Sequence, residues 1–216
     1  VNPHRWDGVT QRSSFGEHVV KVRDRLADAA RVGEWTVVFE VLEEAPQWVN
    51  SGRVGGTRGY TPLHQAAWHG ANADVVDRLL KLGAWRTLRN SSGETARDVA
   101  MRREHTHLIE LMTPVICHPV STEVLTRLES NLHGLIRERA ADLVREHRLR
   151  LPELSPLTEV AEPTFWFPVP GMYGGFRYTL DGAELAVDSW CRIVGGSGET
   201  HRVTADGVRL VESGWA

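Results

Sequence analysis

The sequence predicts an α+β chain: an α-solenoid of short paired helices, then one long helix and a small antiparallel β-meander. Three observations predict it. A pair of residues ending in alanine (Ala29-Ala30, Ala66-Ala67, Val99-Ala100), followed by apolar pairs, recurs three times before Met112. Leucines then recur at helical spacing from Leu125 to Leu143. From Phe176 onward, apolar and polar residues alternate between Asp-Gly turns.

The central repeat is the most informative. It reads Gly59-Tyr60-Thr61-Pro62-Leu63-His64-Gln65-Ala66-Ala67-Trp68-His69-Gly70, followed by Val75-Val76, Leu79-Leu80 and Gly83-Ala84. Thr61 suits a helix N-cap and Pro62 the first turn. Ala66 and Ala67 let helices approach, and Gly70 permits the tight turn between them. This string closely resembles one complete ankyrin repeat. In that family the threonine and histidine knit adjacent turns together, so the resemblance implies a structural role for His64.

Upstream, Leu26, Ala29-Ala30, Gly33, Val37-Val38, Val41-Leu42 and Val49-Asn50 repeat the pattern without the Thr-Pro-Leu-His entry, as a capping first repeat would. Downstream, Gly93-Glu94-Thr95-Ala96, Val99-Ala100, His105 and Leu108-Ile109-Leu111 read as a third repeat in which Ala96 replaces the proline. Arg53 to Arg58, with Gly55-Gly56, makes the loop between the first two repeats long and flexible.

Thr113-Pro114 ends the periodicity, and His118-Pro119 closes a connector. A helix is expected from Ser121 or Thr122 to about His147, its mixed Glu and Arg face solvated. Prolines 156, 163, 168 and 170 then chop an extended segment that leads into Phe165-Trp166-Phe167. Strands are expected at Phe176–Leu180, Glu184–Val194, Glu199–Thr204 and Val208–Val211. Asp181-Gly182, Gly195–Gly198 and Asp206-Gly207 supply the turns between them. The implied organisation is an N-terminal arm over 1–16, ankyrin repeats over 17–113, a connector over 114–120, and a helix plus sheet over 121–216. The string from Trp166 to Phe176, with Ser189-Trp190 and Gly196-Ser197-Gly198, resembles a C-terminal module of actinobacterial ankyrin proteins, and no activity comes with that resemblance.

The 216 residues carry 25 basic and 28 acidic side chains. So even a balance argues against a nucleic-acid or membrane-surface partner. Lys21 and Lys81 are the only lysines, a bias pointing to a GC-rich bacterial genome. Cys117 and Cys191 form no metal-ligand pair, which fits a reducing cytoplasm. No apolar run has the length of a membrane span, and the N-terminus lacks the core of a secretion signal.

Two sets of candidate residues follow. On the hairpin tips and inner helices, where ankyrin proteins bind partners, stand Arg58, Tyr60, Gln65, Trp68, His69, Trp85 and Arg86. Trp68 is the foremost, because its position varies in the repeat and aromatic anchors dominate hot spots. In the second half, Asp188, Trp190 and Arg192 share one face of a strand, and Glu199 and His201 one face of the next. If those faces coincide they form an acid/base pocket lined by Trp166 and Trp190, with Tyr173 on the glycine loop as acid or oxygen ligand.

No cofactor or metal site is expected: His105 and His107 are placed on different sides of a helix, and Gly195–Gly198 precedes a strand. The leading expectation is therefore a bacterial cytoplasmic interaction scaffold with a protein partner on the ankyrin surface. An alternative is a metal-free dehydratase, isomerase or cyclase of secondary metabolism, with a small-molecule substrate in a cleft between repeats and sheet. A third is an immunity protein that neutralises a toxin.

Overall fold

The computed structural model describes residues 4–192 and 196–214. The chain divides into two compact units, one of Gln11–Val115 and the other joining the residues up to Thr10 with those from Ile116 onward. Together they make an α+β protein of six helices and one six-stranded sheet among the described residues.

The first unit is helical. It holds α1 (Glu17–Val32), α2 (Trp35–Glu44), α3 (Pro62–His69), α4 (Ala73–Lys81) and α5 (Ala96–Arg102). Helix α1 stops at Gly33 and α3 at Gly70, both left-handed at φ 77° and 60°, where each N–H reaches back to the carbonyls of the preceding alanine pair. Alanines Ala29, Ala30, Ala66, Ala67 and Ala100 are buried where α3 packs against α1 and α5, and Val38, Leu42, Val76 and Leu79 fill the layer behind. Such close packing needs small side chains on the inner helices and branched ones on the outer.

The third pair is incomplete. Its second member is only a 3-10 turn at Thr106–Leu108, where a helix was expected. Glu104 takes the left-handed conformation at φ 62°, and Pro114 follows too soon for a full helix.

The loop Arg53–Arg58, expected to be flexible, is tied on both sides. The Arg53 guanidinium bonds Asp28 and lies 3.7 Å from Asp24, and Arg12 donates to the Val54 carbonyl at 3.5 Å. The next hairpin tip answers through Ser91, whose N–H donates to the Arg58 carbonyl at 3.1 Å and whose hydroxyl donates to the Thr57 carbonyl at 2.5 Å.

The second unit packs α6 (Thr122–Glu146) on a sheet. Ser121 caps the helix by accepting from the Val124 N–H at 3.3 Å, and the helix kinks at Ala140. The strands are β1 (His4–Arg5), β2 (Thr164–Val169), β3 (Gly174–Asp181), β4 (Glu184–Cys191), β5 (Ser197–Thr204) and β6 (Gly207–Gly214), in spatial order β1 to β6. All neighbours are antiparallel except β1 and β2. Phe165, Phe167, Phe176, Tyr178, Leu185, Val187 and Val203 line the inner face, and Leu128, Leu132, Leu135 and Ile136 of α6 are buried with them.

The sheet is thus larger than the four-stranded meander expected, and it is mixed. The extended segment around Phe165 is a full strand. Residues His4 and Arg5, within the expected arm over 1–16, pair with Phe165 and Trp166. Trp6 anchors them, because its indole N–H donates to the Arg150 carbonyl at 2.9 Å and the Arg150 guanidinium lies 5.1 Å over its ring. Ile193 and Val194, expected in the second strand, and Gly195 of the glycine turn lie outside the described residues. Gly198 already stands in β5.

Candidate functional site

Between α1 and α3, the loop from Ser51 to Thr61 borders a cavity of about 450 Å³. Ala27 and Ala30 of α1 leave the space; Tyr60, Gln65 and Trp68 wall it, and Arg31 and Arg58 stand at its lining. Thr61 starts α3, donating its hydroxyl to His64 Nδ1 at 2.8 Å, while His64 Nε2–H donates to the Glu94 carbonyl at 3.1 Å in the next repeat. The histidine thereby ties the cavity-lining Thr61 to the next hairpin, the linking role that the repeat resemblance implied. Ser51 is 5 % exposed and lines the same cavity, its Oγ without a hydrogen-bond partner among the described residues.

Trp68 is clasped by neighbours from the loop before α3 and from the end of α5. Tyr60 meets it edge-on at 6.3 Å between ring centroids, Arg103 lies 4.3 Å over it, and Arg102 lies at 5.6 Å. Arg102 is itself held, its Nε donating to Glu94 at 2.7 Å. That hydrogen bond, with a second from Asn90, keeps the Glu94 carboxyl below the ordinary carboxylate range. Arg12 does the same for Asp24. Arg31 and Arg53 both lie near Asp28. Arg58 and Arg103 make no ion pair among the described residues, so the face carries excess positive charge beside its aromatic rings.

Four of the seven residues expected on the ankyrin surface therefore come together: Arg58, Tyr60, Gln65 and Trp68. The other three have structural tasks. His69 Nε2–H donates to the Arg31 carbonyl at 3.0 Å, capping α1. Trp85 is 6 % exposed, its N–H donating to Asn50 Oδ1 at 2.8 Å, so it is a core residue and not a surface anchor. Arg86 Nε donates to the Leu111 carbonyl at 2.9 Å and ties down the segment that follows the 3-10 turn at Thr106–Leu108.

Sequence reasoning missed Ser51, Arg31, Arg102 and Arg103. The repeat register carried a signal for two of them. Counted from the helix-ending Gly33, Gly70 and Glu104, Arg31, Trp68 and Arg102 are equivalent positions.

The second candidate set is divided by the sheet. Asp188 pairs across the ladder with Thr200, and Ser189 with Glu199. Asp188 therefore shares the outer face with Arg177, Trp166 and Trp190, whereas Glu199 and His201 point to the face that packs on α6. Asp188 accepts from Arg177 at 2.7 Å, forming an ion pair, and from the Thr200 hydroxyl at 2.9 Å. Trp166 and Trp190 stack at 4.6 Å beside it.

On the inner face, Glu199 pairs with Arg139 of α6, and His201 Nε2 lies 3.5 Å from Glu199 Oε2. His201 is 6 % exposed, and burial pushes its pKa below the ordinary 6.5 against the opposing pull of Glu199. Tyr173 joins neither group. It sits at φ 50° in the turn between β2 and β3 and is 77 % exposed. The glycines of that loop serve the hairpin: a Cβ on Gly174 would strike the Trp190 carbonyl and one on Gly175 the Phe167 carbonyl.

The expected acid/base pocket is thus not assembled. An alternating strand sends Asp188 and the cross-strand neighbour of Ser189 to opposite sides.

His105 and His107 are also placed differently from expectation. Their rings lie 6.2 Å apart, each donating to a carbonyl of the preceding repeat, Trp68 and Ala71. Among the described residues no group of three His, Cys, Asp or Glu side chains has metal-binding proximity. No helix among them is long and apolar enough to cross a membrane.

Comparison with known proteins bears on the helical unit. A family model described as ankyrin repeats (many copies) matches residues 51–100. The chain is 29 % identical over 166 residues to a probable E3 ubiquitin-protein ligase, XBOS33, of Oryza sativa subsp. japonica, an alignment covering 77 % of this chain and 28 % of that protein. It is 38 % identical over 74 residues to the Squamosa promoter-binding-like protein 1 of Arabidopsis thaliana, covering 32 % of this chain and 8 % of the relative. The chain therefore spans under a third of the length of either plant protein. A chain of the solved complex of the Bd0816 predatory endopeptidase from Bdellovibrio bacteriovorus with immunity protein Bd3460 aligns at 22 % identity and a TM-score of 0.37, over 62 % of this chain and 71 % of that one. Residues 51–100, which supply the cavity loop, α3, α4 and most of α5, carry ankyrin repeats.

Proposed function

We propose that this chain is an interaction protein of a bacterial cytoplasm, and that its ankyrin-repeat solenoid grips a segment of a protein partner at the cavity between α1 and α3. The observation that carries the reading is the grouping of Arg58, Tyr60, Gln65 and Trp68 around a cavity of about 450 Å³. Rings of tyrosine and tryptophan beside arginine are the composition of binding hot spots. Trp68 is preorganised by Tyr60 and Arg103, so little side-chain freedom is lost on binding.

Charge selects the occupant. With Arg58 and Arg103 lacking carboxylate partners among the described residues, the segment that fits carries acidic side chains beside an apolar one. Free Cys117 and Cys191 accord with a reducing compartment.

The test places a photo-crosslinking side chain at Gln65 or, as control, at Thr36 on α2, and identifies the captured proteins from a bacterial lysate. Capture specific to Gln65, and reduced at least tenfold by Trp68→Ala or Arg58→Glu, supports the reading. Equal capture at both positions, or capture indifferent to those substitutions, overturns it. Capture of a toxin would assign the protein to immunity.

A further inference from the structure

Strand β6 ends the sheet. It pairs with β5 on one side, and no described strand lies on the other. One row of its backbone N–H and C=O groups therefore lacks a ladder partner, a template for another strand. Proteins blunt such edges with charged side chains, lysine above all, with proline, with bulges or by short length. Strand β6 runs eight residues, Gly207-Val208-Arg209-Leu210-Val211-Glu212-Ser213-Gly214, with neither lysine nor proline. Val208, Leu210 and Val211 are 41 %, 52 % and 52 % exposed.

The charges on this edge are self-complementary. A bulge lies in the middle: Thr200 pairs with Glu212 and His201 with Leu210, leaving Val211 as the extra residue. Arg209 pairs with Arg202, which shares the outer face with Thr200, so the bulge brings Arg209 and Glu212 onto that same face. Neither makes an ion pair among the described residues.

We propose that two copies of this chain join edge to edge through β6, antiparallel about a two-fold axis, with Leu210 of each opposite Val211 of the other. The same register sets Arg209 of each copy opposite Glu212 of the second, twice by symmetry and on one face of the joined sheet. Neighbouring registers lose this match. Centring on Leu210 or Val211 leaves both charges facing uncharged residues, and centring on Arg209 or Glu212 sets like charges against each other. The two-fold arrangement pairs the exposed backbone row, covers the three aliphatic side chains and closes the assembly at two.

Sedimentation equilibrium of the full chain tests the interface, with thermal melts checking that these exposed substitutions leave the fold intact. The expected wild-type result is a dimer. Arg209→Glu or Glu212→Arg alone sets like charges opposite one another at both ends and weakens dimerisation by about tenfold. The double reversal restores it, and Leu210→Lys abolishes it. A wild-type chain that stays monomeric at every concentration reached overturns the proposal. So does a dimer that ignores both charge reversals, because it uses another surface.

Discussion

Asp188 and Glu199 stand on opposite faces of one sheet. The register that pairs Asp188 with Thr200 and Ser189 with Glu199 commits them to different surroundings, one beside Arg177 and stacked tryptophans, the other beside Arg139 under α6. The inner group is a buried polar cluster, and its consequences are for stability.

His201 links that stability to pH. Its folded pKa lies below the ordinary 6.5, from burial first, with Arg139 adding to the depression and Glu199 and Glu138 opposing it. Below 6.5 the unfolded chain binds more protons at this site than the folded one, so stability falls as pH drops and is fully present above 6.5. His4, lowered by burial, acts in the same direction. Urea midpoints of the full chain should decline as pH falls below 6.5, and His201→Gln should flatten the decline. An unchanged slope would remove His201 from the linkage.

Tyr178 is fully buried, its hydroxyl has no hydrogen-bond partner among the described residues, and burial drives its pKa far upward. A buried unpaired hydroxyl costs free energy that a ring without oxygen does not. Tyr178→Phe should therefore raise stability by about 1 kcal/mol. A loss of similar size in denaturant unfolding would show that the hydroxyl is satisfied.

Gly8 admits no side chain. A Cβ there would lie 2.5 Å from the Phe167 ring and 2.6 Å from the Arg150 carbonyl. Gly8→Ala should cost about 2 kcal/mol through overpacking. Because Trp6 is held by the same Arg150, its fluorescence should report a loosened segment in that variant. A variant as stable as the parent would mean that the segment shifts freely.

The two tryptophans of the central repeat and the loop after α4 should behave oppositely. Trp85→Ala removes a buried ring and should destabilise by about 4 kcal/mol. Trp68→Ala removes a partly exposed ring at the cavity wall and should cost well under half of that, leaving binding as its main casualty. Chemical denaturation of the two variants decides this.

Local features were legible in the chain itself. Thr61-Pro62 and Gly70 bracket α3 because capping and left-handed turns are set by a few adjacent residues, and Asp181-Gly182 turns β3 into β4 for the same reason. The periodicity of Leu125 to Leu143 marked α6, and the grouping of Arg58, Tyr60, Gln65 and Trp68 followed from positions within one repeat.

Relations across distance were not legible. Strand β1 joins the sheet through two residues, too few to show alternation, and Trp6 finds Arg150 only in the folded unit. Trp85 reads as a surface aromatic until Asn50, from the preceding repeat, is brought against its backbone. The division of Asp188 from Glu199 and His201 turns on a ladder register that differs by one residue between the two outcomes, and a pattern of alternation is blind to that choice. Periodicity reports which face of an element is apolar because burial acts on each element separately. Which faces meet depends on the joint packing of all of them, and that is settled only when the strands pair and the core closes.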